Sequence, residues 1–97
     1  MLRFTVRVEF HGTEDDPEGY ARLHAAMKKH GFSRTISFGN VRYELPSAEY
    51  NRIGDSLTGK AVLEDAKAAA EEVWEDFSIL VTQTEESRLR WNLKKAK

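Results

Sequence analysis

Two residues in the stretch YARLHAAMKKHGF have the types that nucleic-acid chemistry uses: Arg22 and His24. A neutral imidazole near pH 7 can act as general base or acid, and a guanidinium can stabilise a pentavalent phosphorane. The pair would suit metal-free RNA cleavage, in which the 2′-hydroxyl is the nucleophile. The plainer alternative is a boundary histidine packing its ring edge beside a common arginine. His11 reads equally as a turn residue. His30 suits a helix C-terminus, where partial positive charge is favoured.

Arginines are the second resource. Arg3 and Arg7 share one parity of the segment LRFTVRVEF, and Arg42 falls on the outward parity of VRYEL. Guanidinium groups bind phosphate through two parallel bonds, so these three could hold an RNA backbone, although arginine and threonine also make good solvated sheet residues. An RNA-recognition motif is excluded, because it needs stacking aromatics where this segment has Arg3, Thr5, Arg7 and Glu9. The last ten residues hold Arg88, Arg90, Lys94, Lys95 and Lys97 around Trp91, with no acid. Such a tail could hold single-stranded nucleic acid, or could be an edge strand guarded by lysines.

Acids cluster at Glu14, Asp15, Asp16 and Glu18, and again at Glu71, Glu72, Glu75 and Asp76. The first group suits the positive end of a helix, and the second reads as solubilising charge. No His-x-x-x-His, Gly-rich phosphate loop or Gly-x-Ser-x-Gly elbow occurs. Zero cysteine excludes disulfides, iron–sulfur clusters, thiolate zinc and a Cys nucleophile. Neither a metal nor a cofactor is expected.

Positioning these residues falls to elements with readable periods. Residues 2–10 alternate strictly, predicting a strand with Leu2, Phe4, Val6, Val8 and Phe10 on its buried side. Asp16-Pro17 offers an N-cap and first turn, and Gly31 a stop, for a helix over 17–30. Residues 32–38 and 41–45 form a predicted hairpin across Gly39-Asn40. The segment 46–57 has no clean period and is expected to be an irregular turn pinned by Tyr50, Ile53 and Leu57. Thr58 caps a second helix over 59–73. Residues 77–82 make another strand, and alternation at Leu89, Trp91 and Leu93 suggests a short extra one. The order β-α-β-β-α-β predicts a ferredoxin-like α+β sandwich, with both helices on one face of an antiparallel sheet. Its inward set is Phe4, Val6, Val8, Tyr43, Phe77, Ile79 and Val81.

The chain has 97 residues, enough for a single domain over 1–97. With 15 Lys+Arg against 16 Asp+Glu, its net charge of -1 gives no global pull toward nucleic acid or membrane. No apolar run approaches the roughly 20 residues that cross a bilayer, and no secretory segment is visible. A cytoplasmic protein without a membrane partner is expected.

The runs FTVRVEF, YARLHAAMKKHGFSRTI, YELPSAEYN, VLEDAKAAA, FSILVTQ and RLRWNLKK together resemble the GhoS-like family, the endoribonuclease antitoxins of type V toxin–antitoxin systems. The similarity is one of pattern over most of the chain, clearest from Arg22 to Ile36. It implies a ferredoxin-like fold and an antitoxin that cleaves toxin messenger RNA. Arg22 falls on a helix arginine of the family pattern, whereas a second arginine two residues later is replaced here by His24.

The leading expectation is therefore a GhoS-like RNA-binding protein. Arg22 and His24 would carry a metal-independent endoribonuclease activity, and Arg3, Arg7, Arg42, Arg88 and Arg90 would position the strand. The alternative is a non-catalytic homodimeric interaction module that uses Leu80 and Trp91 as a contact patch. A small-molecule enzyme with 46–57 as a lid comes third, without paired carboxylates or nucleophile–base spacing to support it.

Overall fold

Strict alternation in the first segment makes it the central strand. The computed structural model describes residues 1–12 and 18–96. Its elements are β1 (Arg3–Phe10), α1 (Gly19–Lys29), β2 (Thr35–Phe38), β3 (Val41–Glu44), β4 (Glu49–Ile53), α2 (Gly59–Glu71) and β5 (Phe77–Thr84). β1 pairs antiparallel with β4 on one side and β5 on the other. β2 and β3 form a hairpin of their own, joined to the main sheet where Ser33 bridges Asn51 of β4. The layout is α+β and fits the ferredoxin-like order, as the alternation and helix spacing predict.

The inward side chains of β1 meet the apolar stripes of both helices. Phe4, Val6, Val8 and Phe10 pack with Leu23, Ala26 and Met27 of α1 and with Val62, Ala66, Ala69 and Ala70 of α2. Phe77, Ile79 and Val81 of β5 pack against this core from its edge. Burying each large apolar side chain contributes roughly 1.5–3 kcal/mol against the chain entropy lost on folding. The alanines of α2 let it lie close to the sheet while favouring helix. Thr58 Oγ1 accepts from Ala61 N at 3.1 Å, the predicted cap. Gly31 ends α1 with φ +93°, and Phe32 N donates to Met27 O at 2.9 Å across that turn. The predicted Asp16-Pro17 cap lies outside the described residues, among which α1 runs from Gly19.

Four expectations are corrected. First, the segment 46–57 contains β4. Its inward positions are Tyr50, opposite Val6, and Arg52, opposite Phe4. The Arg52 guanidinium lies 5.1 Å from the Phe32 ring centre and donates to Asp65 Oδ2 of α2 at 2.6 Å. A cation inward and the exposed Ile53 outward invert the usual pattern, so no alternation shows.

Second, Leu89, Trp91 and Leu93 form no strand. The chain after β5 turns back toward the hairpin as a strap, and Arg88 donates to Thr5 Oγ1 of β1 at 3.2 Å. Further on, Glu44 N donates to Lys94 O at 2.7 Å and Ala96 N donates to Arg42 O at 2.9 Å. Third, the hairpin lies outside the three-stranded sheet, so Tyr43 is not a core residue. It packs edge-on against Phe38 and beneath Arg90 of the strap. Fourth, the outer sheet face is not fully open, because the strap covers part of it. Asn51, on the same face as Thr5, has its Oδ1 buried without a partner among the described residues.

Candidate anion-binding cleft

α1 ends beside the hairpin, and the gap between them is a cleft of about 400 Å³. Its walls carry His24 and Lys28, one helical turn apart, with Arg34 and Thr35 from the hairpin arm and Arg42 from β3. Ser33 and Phe32 also line it, and among the described residues no carboxylate does. The spacing follows from the elements. Residues four apart on α1 share a face, and Thr35 and Arg42 are diagonal neighbours on one side of the hairpin, Arg42 lying opposite Ser37.

The cations differ in how fully they are used. Arg34 donates from Nη1 to the carbonyls of Pro46 and Glu49 and from Nη2 to that of Leu45, and its guanidinium lies 5.7 Å from the Tyr50 ring centre. It pins the turn before β4 and contributes positive field rather than free donors. Among the described residues Arg42 makes one side-chain bond, to Thr35 Oγ1 at 3.0 Å, which leaves most of its fork open to a ligand. Lys28 is exposed, with no side-chain bond among the described residues.

His24 sits at the inner wall. Its Nδ1 lies 2.6 Å from the hydroxyl of Tyr50, a fully buried side chain. Burial pushes the Tyr50 phenol well above its ordinary range, so it keeps its proton. That hydroxyl has no other partner among the described residues, and an unsatisfied buried O–H is costly. The phenol therefore donates to Nδ1, and the ring proton resides on Nε2. Burial, and then the Arg34 charge, hold the His24 pKa below its usual value. The imidazole is thus neutral at pH 7 and offers an N–H donor rather than a base.

Arg22 does not join it. Two positions on a helix are about 200° apart, and Arg22 lines a shallow groove against α2 with Lys29 and Glu72. Arg3, Arg7 and Arg42 do not line one pocket either. Arg3 lines a separate cavity with Arg88, Arg7 is exposed on β1, and Arg42 belongs to the cleft. Arg90 is stacked over Phe38 and Tyr43, at 4.9 and 4.2 Å from the ring centres, and secures the strap. His11 bonds Ser78 Oγ at 2.8 Å, and His30 meets Glu72. Glu72, an acid at a helix end where the dipole disfavours it, is explained by His30 and Lys29, whose hydrogen bonds hold its carboxyl below the usual range.

Sequence reasoning missed Lys28 and Arg34. The i, i+4 spacing of His24 and Lys28 was available, but Arg34 needed the three-dimensional turn. Among the described residues no group of three or more His, Asp or Glu side chains is placed to hold a metal, and no helix is long and apolar enough to cross a membrane. No protein-family model, characterised protein or solved structure matches the chain, so the cleft is read on its own chemistry.

Proposed function

We propose that this is an RNA-binding protein that grips the phosphodiester backbone in the cleft between α1 and the hairpin. One observation carries the reading: Lys28, Arg42 and the Nε2–H of His24 line a single cleft that no acid lines among the described residues. Lysine and arginine neutralise phosphate, a neutral imidazole N–H adds an uncharged donor, and the field of Arg34 supports both. The reading matches the substrate class implied by the GhoS-like resemblance. It favours binding over cleavage, because the Tyr50 bond directs the His24 proton outward and Arg22 lies on another face.

The test is titration of a labelled single-stranded RNA at several salt concentrations. Lys28→Gln and Arg42→Gln should each weaken binding and lower the salt slope by about one. Unchanged slopes in both variants would remove the cleft from the interface. Incubating the same RNA with chelator should leave it intact. Cleavage that persists with chelator and disappears in His24→Gln would replace this reading with the endoribonuclease.

Self-association has its own support. Among the described residues β5 pairs only with β1, and its outer edge reads FSILVTQT, with no charge and with Leu80 65% exposed. An unguarded edge of this kind is a template for strand pairing, here with a second copy. Sedimentation should show a dimer that Leu80→Lys dissociates, and a concentration-independent monomer would exclude it.

A further inference from the structure

The strap and the outer sheet face enclose a second cavity, of about 220 Å³, lined by Arg3 of β1, Ser37 and Phe38 of β2, and Ser87 and Arg88 of the strap. Its two cations are close enough that Arg3, after burial, lowers the pKa of Arg88. Neither has a carboxylate partner among the described residues. Arg3 Nη1 donates to the Glu85 carbonyl at 2.8 Å, and Arg88 Nη1 donates to Thr5 Oγ1. Both forks therefore keep unused donors in a cavity that Ser87 also lines.

Holding the strap does not require this arrangement. Arg90 on its two rings, and the backbone bonds of Lys94 and Ala96 to β3, already anchor it. An apolar side chain at position 88 would cover Thr5 without setting one guanidinium against another. Like charges that share a half-buried site repel, and an anion between them reverses the sign of that interaction.

We infer that this cavity binds a phosphoryl group, a tetrahedral oxyanion held between Arg3 and Arg88 with Ser87 as a further donor. Two guanidinium forks match the charge of a dianion, and their planar donors match its oxygens. The site is distinct from the cleft at α1 and does not depend on RNA binding there. Its walls come from the first strand, the hairpin and the strap, so the ligand would tie the strap down.

Trypsin cleavage after Arg88 and Arg90 of the full chain reports this directly. Inorganic phosphate at about ten times its dissociation constant should slow strap cleavage about tenfold, compared with chloride at matched ionic strength. Adenosine 5′-monophosphate should protect equally if an ester is accepted, and adenosine should not protect. Protection by inorganic phosphate alone would restrict the ligand to the free ion. Arg3→Gln should abolish protection, and Lys28→Gln, in the other cleft, should leave it whole. Arg3→Lys keeps the charge and guards against a folding artefact; it should protect less than wild type. Equal protection by chloride, or full protection in Arg3→Lys and Arg3→Gln, would overturn the proposal.

Discussion

The three-stranded sheet with its helices and the hairpin with its strap are held together by different forces. In the first, apolar side chains such as Phe4, Val6, Leu23 and Met27 are fully buried, and burial is the main source of cohesion, with the Arg52–Asp65 pair as an addition at β4. In the second, arginines do much of the fastening: Arg34 on three carbonyls, Arg90 on two rings, Arg42 on a threonine of the neighbouring strand. A hydrophobic core cannot serve as a ligand site without being taken apart. A layer fastened by guanidinium groups keeps its charge at the surface, and wherever it leaves donors unspent it presents them to anions. Both candidate anion sites lie along this second layer.

The contrast is sharpest in the sizes of mutational effects. Phe4→Ala should destabilise the fold by about 3–5 kcal/mol in chemical denaturation, because a fully buried ring at the central strand leaves a cavity. A loss below about 1 kcal/mol would mean that the core is not where the alternation places it. Arg34→Lys keeps the charge but cannot reach three carbonyls at once, and should cost about 2 kcal/mol by the same measurement while RNA affinity falls little. If affinity collapses while stability holds, Arg34 is a ligand contact rather than a fastener.

Smaller effects probe the strap. Arg90→Ala removes the cation from Phe38 and Tyr43 and should cost about 1 kcal/mol, with faster proteolysis after Arg88. Unchanged proteolysis would show that the backbone bonds to β3 suffice. The smallest effect is a pH dependence from His24. Its folded pKa lies below the unfolded value of about 6.5. Just below that pH the unfolded chain binds more protons, so stability rises with pH through this window and falls as the solution is acidified. His24→Gln should flatten the slope there, and an unchanged slope would place the titrating group elsewhere.

How much could be read beforehand follows the same division. β1, both helices and β5 were legible because their apolar residues recur at the period of the element. β4 was not, since its inward Arg52 is stabilised by Phe32 and Asp65, residues distant in sequence. The strap alternates like a strand, yet Leu89 is 97% exposed and Trp91 86% exposed, while Arg88 and Arg90 make the contacts. In the cleft, His24 was picked out as a candidate acid or base, but its protonation depends on Tyr50, twenty-six positions along the chain. Pairing Arg22 with His24 relied on nearness in sequence, which a helix converts into opposite sides.

The cleft is tested most directly by nuclear magnetic resonance of the labelled protein titrated with single-stranded RNA at low salt. Resonances of His24, Lys28, Thr35 and Arg42 should shift together and saturate with one affinity, and the Nε2–H of His24 should move downfield as it meets a phosphate oxygen. Shifts confined to the β5 edge or to exposed Arg7, with the cleft silent, would contradict the account.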